Sequence, residues 1–147
     1  FSPRVWAIPR AYKALILKTK GELTMHDRKD YRLASMPGAQ CHVRFYYSNG
    51  ELEEVWLVSY STTVIVISGL NTSNPYWGCT GVYSKTTAKH INRFTSEFLG
   101  DNLYQTAKNI AMTGEVIELD EIDSVTVHKQ VSYYEDGYGG RKFFGNY

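Results

Sequence analysis

The stretch CHVRFYYSNGELEEVWLVSYSTTVIVIS, residues 41–68, carries the clearest structural signal in the sequence. In its first third, successive side chains are expected to alternate between two faces of a predicted strand, with Val43, Phe45 and Tyr47 on the same face. The Asn-Gly pair at positions 49–50 accommodates the positive φ angles of a tight hairpin turn, and ELEEVWLVS then returns as a second strand. The β-branched run STTVIVIS is continuously apolar, which is typical of a central strand buried on both faces. Together they predict an antiparallel meander.

A helix is predicted directly after this meander and the turn-rich loop GLNTSNPYWGCTG. Hydroxyl residues precede it, and Gly100 follows it in a C-cap position. The residues that recur at helical spacing on its inner face are Ala88, Ile91, Phe94 and Phe98, and the candidate N-caps are Ser84, Thr86 and Thr87. A second, shorter helix is predicted in DNLYQTAKNIAMTG, with Asp101 as its N-cap, Gly114 at its end, and Leu103, Ala107 and Ile110 facing inward.

The remaining segments give weaker signals. Residues 1–10 are predicted as an extended arm because each residue before a proline is pushed out of the helical region. Residues 11–18 favour a strand, although their composition also allows a short helix. Residues 25–38 are predicted as a loop or short helix, and residues 115–134 as one or two final strands. Residues 133–147 form a Gly-rich aromatic tail. We therefore predict a single α+β domain over residues 1–147, with a mostly antiparallel sheet and two adjacent helices packed on one face.

Composition bounds the class of protein. The 147 residues are 43% hydrophobic and include 12 tyrosines, which favours a globular fold with contact surfaces. The net charge of +1 conceals 9 basic and 3 acidic residues over 1–50 against 4 basic and 8 acidic over 101–147. The charged ends either neutralise each other or promote head-to-tail association. No apolar run is long enough to span a membrane and no leader pattern is visible, so we expect no membrane partner and a location in the host cytoplasm or a virion.

Catalytic and metal chemistry find little support. The histidines at positions 26, 42, 90 and 128 lack metal-ligand spacing, and no glycine-rich phosphate loop is present. Cys41 and Cys79 are expected to be free buried thiols. A Cys–His hydrolase remains open, because such pairs are assembled only in space. We expect no catalytic residue, no metal and no cofactor.

A basic surface is predicted on the outer face of the first helix. Lys85, Lys89 and Arg93 recur every four residues, with His90 alongside, and such a stripe can contact phosphates. The tail interleaves cations with rings that can stack on unpaired bases, namely Arg141, Lys142, Phe143 and Phe144. For the helix, the alternative is an ordinary solvated face. For the tail, the alternative is docking on its own fold or on a neighbouring subunit, and docking on a neighbouring subunit favours a homo-oligomer.

An acidic stretch suggests a different class of partner. Its carboxylates could bind a basic protein, together with an aromatic pair that is expected to be exposed. The alternative is that the stretch is a solvated edge strand. The residues of this predicted protein-binding surface are Glu118, Asp120, Glu121, Asp123, Tyr76 and Trp77.

Two blocks of the sequence, SYSTTVIVI (59–67) and YSKTTAKHINRF (83–94), resemble a small domain of unknown function encoded by phages and plasmids of bacteria. The matching strand positions are Ser59, Tyr60, Thr62 and Val64. The matching helix positions are Tyr83, Ser84, Thr86, Thr87, His90, Ile91 and Phe94. The resemblance covers about 40 residues and implies an origin in a mobile element, without an activity.

The sequence thus favours a small non-enzymatic phage or plasmid protein that binds nucleic acid through the basic helix face and the tail. The alternative is a protein-binding or structural component, either a virion part or an inhibitor of a host defence system that contacts a host or phage protein.

Overall fold

The structure is a computed structural model that describes residues 3–5 and 26–144. Over these residues it contains seven strands and three helices. In chain order they are β1 (Pro3–Val5), β2 (His26–Arg32), β3 (Cys41–Ser48), β4 (Glu51–Ser59), β5 (Thr62–Ser68), β6 (Tyr76–Cys79), α1 (Lys85–Phe98), α2 (Tyr104–Thr113), β7 (Glu115–Glu118) and α3 (Glu121–Glu135).

The strands form one sheet in the order β1-β7-β6-β5-β4-β3-β2, and every neighbouring pair is antiparallel. The predicted α+β class is confirmed, with the meander β3–β4–β5 inside the sheet and helices packed against it. Asn49 and Gly50 have φ angles of 53° and 81° in the β3–β4 turn, as the Asn-Gly pair predicts.

The sheet contributes two rows of buried side chains to the core, on the face covered by the helices. The first row comprises Tyr31, Val43, Leu57, Ile65 and Cys79, and the second comprises Phe45, Val55, Ile67, Trp77 and Ile117. Burial of one large apolar side chain contributes about 1.5–3 kcal/mol. Val64 and Val66 of β5 are buried as well, so this strand is covered on both faces as predicted.

Helix α1 packs on this face through aromatic rings. The Phe98 ring lies 6.1 Å from that of Phe45 and 5.5 Å from that of Tyr134 in α3. The Tyr134 hydroxyl donates to Glu97 Oε1 of α1 at 2.6 Å and accepts from the Ala34 N–H at 2.7 Å. One cluster therefore holds α1, α3 and the loop after β2 together.

Two segments adopt a different type of secondary structure from the one predicted. Residues 26–32 form strand β2, where a loop or short helix was predicted, because charged side chains are tolerated at a sheet edge. Of the strands predicted over residues 115–134, only β7 forms, and a third helix follows it. Val127, Val131 and Tyr134 of that helix are spaced for one helical face and are buried.

Smaller differences concern the ends. Helix α2 begins after Leu103, while Asp101 accepts a hydrogen bond from the Asn102 N–H at 2.8 Å instead of capping the helix. Gly114 ends α2 with a φ of 73°, as predicted. Of the predicted arm, residues 3–5 pair with β7, and the strand predicted at 11–18 lies outside the described residues.

Candidate functional site

The first turn of α1 is fixed by a serine cap. Ser84 has extended backbone angles, and its Oγ accepts from the Thr87 N–H at 3.1 Å. Among the three predicted candidates, Ser84 is thus the N-cap. At the other end the Leu99 N–H donates to the Thr95 carbonyl at 2.8 Å, and Gly100 has a φ of 77°. These caps set the register that decides which side chains point outward.

Three cations occupy the outward face of α1. Lys85, Lys89 and Arg93 are all exposed, while Ile91 and Phe94 on the opposite face are fully buried. Among the residues that the structure describes, none of the three cations forms an ion pair, and the first turn carries no acid. This basic stripe therefore presents three positive charges in one line.

His90 does not belong to the basic stripe, and the prediction that it contacts nucleic acid is wrong. Its side chain is fully buried because it points toward the end of β4. Its Nδ1 lies 2.8 Å from Ser59 Oγ, and the Ser59 hydroxyl lies 3.3 Å from that of Thr87. The two blocks that carry the family resemblance meet here, so these polar residues join a strand to a helix.

The imidazole of His90 is only partly satisfied. Within the described part of the chain, its buried Nε2 has no hydrogen-bond partner. Burial disfavours the charged form and lowers the pKa of His90. We conclude that His90 is neutral at pH 7 and acts as a structural contact between β4 and α1.

The cysteines are poorly suited to nucleophilic attack. Cys41 lies directly opposite Ser59 across β3 and β4, near His90 in the fold. Burial raises the pKa of its thiol to about 12, and burial raises that of Cys79 to about 11. Since the thiolate is the nucleophile, both thiols are almost wholly unreactive at neutral pH.

The C-terminal tail is docked on the edge of the sheet. Residues 133–135 belong to the last turn of α3. Farther along, the Arg32 N–H donates to the Arg141 carbonyl at 2.7 Å, and the Phe143 N–H donates to the Asp30 carbonyl at 2.9 Å. An added Cβ at Gly140 would overlap the Arg32 carbonyl oxygen, so a glycine is required there.

The four tail residues proposed from the sequence face different surroundings. The Phe143 ring is half-buried and stacks on His42 at 4.3 Å between centroids. Arg141 and Lys142 are exposed, and the Phe144 side chain is 87% exposed. Phe143 thus anchors the tail, and the other three remain accessible to a partner.

A buried polar cluster on the opposite face of the sheet was missed by sequence reasoning. Arg44 Nε donates to Asp30 Oδ1 at 2.8 Å, and His42 Nε2 lies 3.9 Å from the same oxygen. Burial lowers the pKa of His42 to about 4, although the Asp30 carboxylate acts in the other direction. The alternation of His42 and Arg44 was visible in the sequence, but their partner Asp30 was assigned to a loop or short helix.

The acidic stretch is divided between the end of β7, which holds Glu118, and the start of α3. Asp120 Oδ1 accepts from the Asp123 N–H at 2.8 Å as the N-cap of α3, and Glu121 is exposed in the first turn, where negative charge is favoured. Glu118 is half-buried in β7. The expected exposure of Trp77 is wrong, because this ring is 1% exposed in the core, whereas Tyr76 is half-buried.

Metal and membrane sites find no structural support in the part of the chain that is described. Over residues 3–5 and 26–144, no group of three His, Cys, Asp or Glu side chains could hold a metal ion. None of the three described helices is both long and apolar enough to cross a membrane.

Acid should destabilise the fold through the two buried histidines. Because their pKa values are lowered in the folded chain, the unfolded chain binds more protons as the pH falls below about 6.5. Each buried imidazole lowers the free energy of unfolding by up to about 1.4 kcal/mol for each pH unit below this value. For His42 the loss continues down to about pH 4.

Urea unfolding of the wild type and of His42→Gln between pH 7 and pH 5 measures this contribution. The variant should lose less stability than the wild type over that interval. His128→Gln, which removes an exposed histidine, is the matched control and should follow the wild type. Equal losses of stability in the wild type and His42→Gln would show that His42 does not contribute to the acid sensitivity of the fold.

The comparisons with known proteins give one match. No curated protein and no solved structure matches the chain significantly. A family model matches residues 14–118, which include both resemblance blocks and the basic stripe but exclude α3 and the tail. The chain therefore belongs to DUF8033, a family of unknown function.

Proposed function

We propose that this chain is a small non-enzymatic phage or plasmid protein that binds single-stranded nucleic acid. The observation that carries the proposal is the basic stripe, Lys85, Lys89 and Arg93, which is exposed and has no acidic partner among the described residues. Successive cations four residues apart on a helix lie about 6 Å from one another along its axis. This spacing is close to that of neighbouring phosphates along an extended strand.

The tail supplies the second element of the proposed interface. Phe144 presents an almost fully exposed ring beside the exposed cations Arg141 and Lys142. Stacking of a base on an aromatic ring contributes about 1–3 kcal/mol and does not depend strongly on sequence. This combination favours an unpaired strand over a duplex, whose bases are already stacked.

Phosphate contacts predict a definite salt dependence. For single strands, the logarithm of the association constant falls with the logarithm of salt concentration by about 0.7 per phosphate neutralised. Lys89→Ala and Arg93→Ala should each reduce this slope by about 0.7 in a fluorescence anisotropy titration with a labelled oligothymidine.

Lys108→Ala is the matched control because it removes an exposed cation from α2. It should leave the slope within error of the wild type. An equal reduction by all three substitutions would indicate only a general charge effect. The absence of binding at low salt would exclude the proposed function.

A second candidate, self-association as a structural component, is favoured by the outer face of α3. Ile122 and Tyr133 are 76% and 46% exposed on this helix, although both are large and hydrophobic. A groove of about 470 Å³ runs along the same face and is bordered by Lys129, Ser132 and Asp136. Exposed apolar residues of this kind often mark a protein contact.

The charges along the groove are self-complementary. In an antiparallel pair of α3 helices centred between Ser132 and Tyr133, Lys129 of each copy lies opposite Asp136 of the other. A two-fold axis would form this ion pair twice, as an isologous dimer requires. The proposed partner in this candidate is therefore a second copy of the chain.

Charge reversal tests the dimer. Lys129→Glu and Asp136→Lys should each weaken association about tenfold or more in sedimentation equilibrium, because like charges then face each other. The double variant restores opposite charges and should recover dimerisation. A monomeric wild type at all concentrations, or a double variant weaker than both single ones, would argue against this contact.

A further inference from the structure

We propose that a cavity beneath the N-terminus of α3 binds a small organic cation with an apolar body. The cavity has a volume of about 270 Å³, close to the lower end of the range for small-molecule sites, roughly 300 Å³. It lies where the α1–α2 loop, α2, β6, β7 and α3 converge. Its lining includes Trp77, Leu103, Thr106, Leu119, Asp101 and Asp123.

The walls of the cavity are mainly apolar. Trp77 belongs to the second core row and is 1% exposed, and Leu119 is buried beside it. Leu103 is half-buried at the start of α2. These elements hold the walls in place without a ligand, because each wall residue belongs to or directly borders a packed element. A hydrocarbon or aromatic body of suitable size would therefore meet a preformed surface.

The charges that line the cavity have one sign. Asp101 in the α1–α2 loop and Asp123 in the first turn of α3 both contribute, and no Lys, Arg or His is among the lining residues. Among the described residues neither carboxylate forms an ion pair. The two carboxylates outweigh the partial positive charge of the α3 N-terminus, so an ammonium or amidinium group would be attracted to this position and an anion would be repelled.

The environment of Asp123 is consistent with this assignment. Burial, and then the charge of the neighbouring Asp120, raise the pKa of Asp123. A bound cation would oppose both effects and favour the ionised carboxylate. Thr106 of α2 also lines the cavity, and a threonine hydroxyl can both donate and accept a hydrogen bond. The proposed site differs from the nucleic-acid surface in position and in the sign of its charge, so either proposal can fail without the other.

Three probes with the same phenyl ring and different head groups test the proposal on the full chain. They are phenethylamine, phenethyl alcohol and 3-phenylpropionate, titrated by ligand-observed NMR up to about 10 mM, a range that covers weak small-molecule affinities. The amine should bind about five- to tenfold more tightly than the alcohol, since its charge gains a hydrogen-bonded ion pair. The carboxylate should bind least.

Asp123→Asn and Asp101→Asn remove one charge each at nearly constant size. Each should lower the affinity for phenethylamine about threefold to tenfold and leave that for phenethyl alcohol unchanged. Asp101→Asn lies in an exposed loop, so it keeps the test valid if Asp123→Asn impairs folding. Glu51→Gln is the charge-matched control at the β3–β4 hairpin and should bind like the wild type.

Three results would overturn the proposal. The first is equal affinity for the amine and the carboxylate. The second is an affinity for the amine that neither aspartate substitution changes. The third is a lack of binding by all three probes over the whole concentration range.

Discussion

The burial of one face of α1 against the sheet is the constraint on which the rest of the structure depends. Phe94 and Phe98 are fully buried, and Phe98 contacts both Phe45 of β3 and Tyr134 of α3. Rotating the helix by a quarter turn would expose these rings at a cost of about 1.5–3 kcal/mol each. The inner face thus fixes the outer one, and Lys85, Lys89 and Arg93 can only point to solvent. The proposed function rests on this geometry.

The sequence predicted the meander and α1 because their signals are local. Alternation, the Asn-Gly turn and a serine cap each act over a few residues. α3 was missed because Ile122, Val125 and Tyr133 are apolar on its outer face as well, which hides the helical period, and its β-branched residues suggest strands. The Asp120 cap followed by acids in the first turn was the signal that could have identified it. β2 was missed because the half-buried Asp30 pairs with Arg44 only in the tertiary fold.

The candidate site was predicted only in part, and the family match helps to separate its components. Ser59, Thr87 and His90 form a buried contact between β4 and α1, so the two resemblance blocks meet at a structural contact between a strand and a helix. The basic stripe lies within the matched residues 14–118, whereas the tail and α3 lie beyond them. His90 and Trp77 could not be placed from the sequence, because burial depends on which elements pack against them.

The most direct measurement of where nucleic acid binds is an amide NMR titration of the ¹⁵N-labelled full chain with a short oligothymidine. If burial of the inner face of α1 sets the binding surface, shifts should be confined to residues 85–96 and 141–144. Shifts along the outer face of α3 that leave α1 unaffected would contradict the account, as would a spectrum that the oligonucleotide does not change.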